Sequence, residues 1–74
     1  MLEGDFKKAH QFIDKSIELD PTNSYAFKNK ALVYLKQNDI KNAISNLERA
    51  KALRFDLYYG SEVDDLLLKF TRTE

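Results

Sequence analysis

The sequence contains no cysteine and no tryptophan, and its 74 residues include one proline, one histidine and two glycines. Without cysteine, the chain can form neither a disulfide nor a thiolate metal site. Its composition is therefore compatible with a reducing compartment. The scarcity of glycine and proline argues against a low-complexity or collagen-like chain. A hydrophobic content of 43% is that of a globular chain rather than a disordered one. We therefore expect one small domain at most.

An excess of either charge is also lacking, because twelve basic and twelve acidic side chains cancel. The charges are nevertheless segregated, with a net of −2 over residues 1–27, +5 over 28–54 and −3 over 55–74. A basic centre could bind nucleic acid, and a strongly salt-dependent affinity would be its signature. Charged, solvated helix faces explain the pattern more simply, so we expect no nucleic acid partner.

Long apolar runs are missing as well. A membrane-spanning helix needs about 18 or more consecutive apolar residues, and the sequence has no such run and no signal-peptide pattern. We therefore expect no membrane partner and a cytoplasmic protein.

The sequence does contain four segments in which apolar or small residues recur every three or four positions, the period of an amphipathic helix. They predict an all-α fold with helices at roughly 5–19, 24–37, 39–53 and 61–71, and no strand. The four stripes are Phe6-Ala9-Ile13-Ser16-Ile17, Phe27-Ala31-Tyr34-Leu35, Ile40-Ala43-Ile44-Leu47-Ala50 and Val63-Leu66-Leu67-Phe70.

Polar residues predict where these helices begin and end. Asp5 and Asp39 are expected N-caps, because a carboxylate can accept the free N–H groups of a first turn. Asn38 tolerates the left-handed conformation that ends a helix, and Leu19-Asp20-Pro21 ends the first one. Ser61 with Asp64 three residues later is a variant of the capping box. The interval 54–60 is expected to be a lengthened turn.

One phrase occurs twice, as GDFKKA at residues 4–9 and NDIKNA at residues 38–43, an offset of 38 − 4 = 34 residues. At this offset large apolar residues pair with large ones, as Ile13 does with Leu47. Small residues pair with small ones, as Ala9 does with Ala43. The chain is therefore predicted to be an internal repeat of one supersecondary unit.

The stretch AFKNKALVYLKQNDIKNAISNLERAKAL, residues 26–53, resembles a tetratricopeptide repeat (TPR), a helical hairpin with a period of about 34 residues. The family's aromatic, small and tyrosine positions of the first helix match Phe27, Ala31 and Tyr34. Its alanine, bulky and alanine positions of the second helix match Ala43, Leu47 and Ala50. The departures are Lys30 in place of leucine, Asn38 in place of glycine and Phe55 in place of the closing proline.

The resemblance implies a single partial TPR domain over residues 1–74. Residues 4–23 would be the second half of one repeat, 24–57 a full repeat and 58–74 a C-terminal closing helix. Repeat proteins generally need about three stacked repeats to bury a sufficient core. We therefore expect either a larger parent chain or association with a second copy.

Residues that could carry out catalysis are scarce. His10 and Asp14, one helical turn apart, supply only two metal ligands, and the lone histidine would have to serve every role of a catalytic triad. Asp64 and Asp65 are adjacent and point about 100° apart on a helix. The two glycines stand alone and form no phosphate-binding loop. We expect no enzyme, no metal and no cofactor.

The resemblance instead implies a protein–protein interaction scaffold that binds a peptide or partner helix through the concave groove of the repeat. The groove positions fall on Tyr25, Lys28, Asn29, Leu32 and Lys36. In this set the tyrosine and leucine offer apolar contact, the lysines attract carboxylates and the asparagine amide can bond to a peptide backbone. The alternative is that these side chains are simply solvated.

Two further possibilities follow from the resemblance. Some family members bind the acidic C-terminal tails of heat-shock chaperones with a set of basic and asparagine side chains, the carboxylate clamp. In this sequence only Asn29 falls on a clamp position. We therefore expect no such binding by this chain alone. The other possibility is a homodimer, in which apolar residues of the first helix, Phe6, Ile13 and Ile17, complete their core with a second copy.

Overall fold

The computed structural model describes residues 3–71, with the side chains of residues 6–71. Over that range the backbone forms five helices and no strand, which confirms the all-α prediction. The helices are α1 (Glu3–Leu19), α2 (Ser24–Lys36), α3 (Ile40–Ala52), α4 (Phe55–Tyr59) and α5 (Glu62–Thr71). Residues 72–74, the end of the predicted closing segment, lie outside the described range.

The first helix begins at Glu3, so the prediction of an N-cap at Asp5 is wrong. The backbone of Asp5 lies inside the first turn, and its side chain is outside the described part of the chain. The predicted end at Leu19 is confirmed. After it, Asn23 accepts a hydrogen bond from the Ala26 N–H at 3.1 Å and so begins α2.

The turn between α2 and α3 has the predicted chemistry. Asn38 adopts a φ of 63°, the left-handed conformation, and its N–H donates to the Leu35 carbonyl at 3.0 Å. Asp39 is the N-cap of α3 and accepts from the Asn42 N–H at 3.2 Å. The short turn brings α2 and α3 together as a hairpin, and this pair makes the most extensive helix contact in the described range.

The prediction of a plain lengthened turn over residues 54–60 is wrong, because this interval contains helix α4. Arg54 adopts a φ of 66°, which ends α3 and redirects the chain. Phe55 then enters the core with 1% of its surface exposed. Gly60, at a φ of 101°, ends α4 in a conformation that L-residues rarely adopt.

The core lies where α2, α3, α4 and α5 meet. Small residues let the helices approach closely, while Leu47 fills the space between them. The fully buried apolar cluster is Ala31, Ala43, Leu47, Ala50, Phe55 and Val63, with Phe27, Tyr34, Leu35, Leu66 and Leu67 packed against it.

The last helix begins at Glu62 and turns Val63 inward. The predicted capping box is wrong, because the Ser61 hydroxyl donates to Asp65 Oδ2 at 3.2 Å rather than pairing with Asp64. Asp64 Oδ1 instead lies 3.1 Å from Lys51 Nζ, an ion pair between α5 and α3.

Candidate functional site

The five residues of α2 predicted to form a groove do not share one surface. Tyr25 and Lys28 face α4 and α5, where aromatic rings and Glu62 surround them. Asn29, Leu32 and Lys36 line a cavity against α1. The helical period spreads the five positions around α2, and the packing of its neighbours divides them into two groups.

In the first group Tyr25 is 43% exposed, whereas Lys28 is enclosed. Lys28 is only 6% exposed, although the sequence places it among groove residues. Its Nζ lies 4.3 Å from the centre of the Tyr25 ring and 3.6 Å from Glu62 Oε1. A buried ammonium needs such partners, because an unpaired buried charge is strongly disfavoured. Lys28 of α2 thus pairs with Glu62 of α5 from an enclosed position.

The second group forms one wall of an open groove. We call this surface the α1–α2 groove; its cavity of about 350 Å³ is lined by Ala9, Phe12 and Ile13 of α1 and by Asn29, Leu32, Val33 and Lys36 of α2. An apolar floor with an amide and an ammonium at its edge suits the apolar face of a peptide, oriented by a few polar contacts.

Phe12 is the residue that sequence reasoning missed. It is 77% exposed and lines both the α1–α2 groove and a second cavity of about 510 Å³, which is lined by Lys8, Gln11, Phe12 and Lys15. The sequence does contain a sign of its exposure, because Phe12 stands one position before Ile13 and therefore lies off the predicted apolar stripe. A large exposed ring beside two cavities is a feature typical of interaction surfaces.

The three predicted self-association residues, Phe6, Ile13 and Ile17, are all half-buried on α1. The apolar surface that α1 exposes most is Phe12 and, at its end, Leu19, which is 75% exposed. The most exposed apolar side chains of α1 are thus Phe12 and Leu19, while self-association through Phe6, Ile13 and Ile17 stays a prediction.

Polar contacts fix α1 against α2. Lys30 Nζ bonds to Asp14 Oδ1 across the two helices. His10 Nε2 donates to Gln37 Oε1 at 2.7 Å, and its ring centre lies 4.5 Å from that of Tyr34. His10 and Asp14, which the sequence places one helical turn apart, thus have separate partners, Gln37 and Lys30. Among the described residues, no group of three metal-ligating side chains comes together.

None of the helices in the described range combines the length and the apolar character needed to cross a bilayer.

Comparison with known proteins places this architecture in context. A family model described as tetratricopeptide repeat matches residues 12–52, more than half of the chain. Stress-induced-phosphoprotein 1 of Caenorhabditis elegans is 44% identical over 46 residues, which make up 62% of this chain and 14% of that protein. The chain thus spans a small part of the length of this relative. No solved structure matches it.

Proposed function

This chain belongs to the tetratricopeptide repeat family, and from that premise we propose that it binds a partner helix or peptide through the α1–α2 groove. Repeats of this family generally serve as protein–protein interaction scaffolds, because stacked hairpins create extended concave surfaces. The family and the similarity to stress-induced-phosphoprotein 1 point to a non-catalytic role of this kind. We also propose that the chain is divided as the sequence predicts, into a half repeat (4–23), a full repeat (24–57) and a closing helix (58–74).

The observation that carries the proposal is a difference in burial between equivalent residues. Ala43 and Leu47 of α3 are fully buried, at 0% exposure. Ala9 and Ile13, their counterparts one repeat earlier on α1, are only half-buried and line the open cavity. Within the described residues the same helix face is thus fully covered in one copy and only partly covered in the other, which leaves an open cavity between α1 and α2.

The chemistry of the groove favours a helical occupant with apolar and acidic faces. Phe12, Ile13 and Leu32 supply an apolar floor, which fits the helix-in-groove mode of recognition. Lys36 stands at one edge and Lys8 beside the neighbouring cavity. Neither lysine has an ion-pair partner in the described part of the chain, and in the proposed complex both contact carboxylates of the partner.

A designed probe tests this proposal directly. The probe is a labelled amphipathic peptide of about 16 residues, long enough to form a helix when bound, with leucines on one face and glutamates on its flanks. Fluorescence anisotropy should show that Phe12→Ala weakens binding about tenfold or more, as expected for an aromatic residue at the centre of an interface. Lys36→Ala should weaken binding by a smaller factor of about two to five. Added salt should reduce the difference in affinity between this variant and the unchanged chain, because salt screens the lysine charge.

The matched control is Leu68→Ala, which removes a side chain of α5 that is 64% exposed and outside the groove. It should change the affinity by less than about twofold. Equal losses in the Phe12 and Leu68 variants would contradict the proposal, because binding would then be non-specific apolar adhesion.

A second copy of the chain is the other candidate occupant, since Phe12 and Leu19 are strongly exposed. Sedimentation at rising protein concentration, without the probe, distinguishes the two. A single monomeric species throughout excludes self-association. A dimer that Phe12→Ala dissociates would replace the peptide proposal with self-association.

A further inference from the structure

A separate cavity lies between the turn that joins α1 to α2 and the short helix α4. Its volume is about 400 Å³, and its lining includes Asp20, Thr22, Asn23, Leu53, Tyr58 and Tyr59. It shares no lining residue with the α1–α2 groove. We call it the tyrosine cavity, because two exposed tyrosines form one of its walls.

The two tyrosines are exposed, and Tyr59 is packed against other aromatic rings. Tyr58 is 71% exposed and Tyr59 is 54% exposed. The centre of the Tyr59 ring lies 5.1 Å from that of Tyr25 and 5.0 Å from that of Phe55. Because Phe55 is buried and lies against Tyr59, the Tyr59 ring is positioned by its neighbours, which reduces the entropic cost of binding there. Tyr58 lies beside it, with ring centres 6.5 Å apart.

Asp20 is the one charged residue among those that line the tyrosine cavity. The hydroxyl of Thr22 donates to its Oδ1 at 2.6 Å and the Thr22 N–H donates to the same oxygen at 3.1 Å. These hydrogen bonds lower the pKa of the Asp20 carboxyl below its ordinary value and so favour the charged form. Within residues 6–71 no cation pairs with Asp20, and none lies over the ring of Tyr58 or Tyr59.

The same aromatic cluster already binds one cation on its inner side. There, Lys28 Nζ lies over the Tyr25 ring at 4.3 Å and beside the Glu62 carboxylate at 3.6 Å. The outer side has the equivalent groups, a carboxylate and exposed aromatic rings, without a cation from the described residues. Cations are attracted to aromatic faces, and a nearby carboxylate adds to that attraction.

We propose that the tyrosine cavity binds an arginine side chain of a partner protein, with the guanidinium against Tyr58 and Tyr59 and hydrogen-bonded to Asp20. Arginine fits better than lysine, because its planar guanidinium stacks on aromatic rings and donates in a fixed fork to a carboxylate. Oδ2 of Asp20 accepts no hydrogen bond within the described residues and accepts one N–H of the guanidinium in the proposed complex.

An anion is the less favourable ligand, although the start of α2 borders the cavity and helix N-termini attract negative charge. The Asn23 side chain already accepts a hydrogen bond from the Ala26 N–H at 3.1 Å. The Asp20 carboxylate lines the same cavity and repels a second negative group.

The test uses the blocked tripeptide acetyl-Gly-Arg-Gly-amide as probe, titrated into the whole chain while ¹H–¹⁵N spectra are recorded. Saturable shifts are expected at the amides of Asp20, Thr22, Tyr58 and Tyr59, with a Kd on the order of 1 mM for one exposed cation–π contact and one ion pair. Asp20→Asn and Tyr58→Ala should each weaken binding about fivefold. Both residues are exposed, so both variants should keep the dispersed spectrum of the folded chain.

The matched controls are Asp65→Asn, an exposed carboxylate of α5, and Leu57→Ala, an exposed residue of α4 that does not line the cavity. Both should bind the probe within about twofold of the unchanged chain. Shifts confined to the α1–α2 groove, or unchanged affinity in Asp20→Asn, would overturn the proposal. Equal or tighter binding of the matching lysine, glutamate or leucine tripeptide would also overturn it. Because the two sites share no residue, this result is independent of peptide binding in the groove.

Discussion

Phe55 shows how one residue determines the structure around it. It is the largest side chain that the structure buries completely, at 1% exposure, and its ring lies 5.0 Å from that of Tyr59. The family commonly has proline at this position. Phenylalanine instead gives the chain an apolar anchor immediately after Arg54, and the short helix α4 with its exposed tyrosines follows from that anchor.

Replacement of Phe55 by alanine should therefore destabilise the chain strongly. Large-to-small changes at buried phenylalanines cost about 3–5 kcal/mol, a large part of the total stability of a small domain, about 5–15 kcal/mol. Urea unfolding followed by circular dichroism measures this cost. Tyr58→Ala replaces an exposed aromatic residue of the same helix. It should change the free energy of unfolding by less than about 0.5 kcal/mol. Similar losses in both variants would show that Phe55 is not the anchor of α4.

At the scale of elements, the closing helix α5 is fixed to the hairpin by apolar packing and by two ion pairs. Val63 enters the core, Asp64 pairs with Lys51 of α3 and Glu62 pairs with Lys28 of α2. Glu62 is about half-exposed, whereas Lys28 is almost completely enclosed. The two members of this pair should therefore respond differently to neutralisation.

We expect Glu62→Gln to destabilise the chain by about 1 kcal/mol, because it leaves the enclosed Lys28 ammonium without its counter-charge. Lys28→Met removes the buried charge itself and keeps most of the packing, so it should be nearly neutral. Thermal unfolding of both single variants and the double variant measures the coupling free energy between Lys28 and Glu62. Glu48→Gln, an exposed carboxylate without an ion pair in the described range, is the control. A larger loss for Lys28→Met than for Glu62→Gln would refute this account.

Across the whole molecule, packing is uneven from one end to the other. Helix α3 carries three fully buried residues and contacts α2, α4 and α5. Helix α1 packs chiefly against α2, and none of its described side chains is fully buried. Local stability follows the amount of buried contact, so α1 should open more readily than the rest.

Native-state hydrogen exchange is expected to show this gradient, with α1 amides exchanging before those of α3. The amphipathic peptide that tests the α1–α2 groove should slow exchange in α1, because a ligand that binds only the closed form stabilises it. The arginine tripeptide, which is proposed to bind elsewhere, serves as the control and should leave α1 exchange unchanged. Equal protection of α1 and α3 without ligand would contradict the gradient.

The sequence by itself determined four of the five helices in the described range, most of their ends and the family, but not α4. The reason is that helical periodicity, Asn38 in the left-handed turn and the cap at Asp39 are local properties of the chain. Only the tertiary structure decided that Phe55 is buried and Lys28 enclosed, and that the ring of Phe12 is exposed, because each depends on which distant helix packs over it. Of the predicted groove residues, Asn29, Leu32 and Lys36 line a cavity with α1, while Tyr25 and Lys28 face α4 and α5. A helical stripe fixes the direction of a side chain around its own helix, and the neighbouring helices decide whether that direction leads to solvent or to the core.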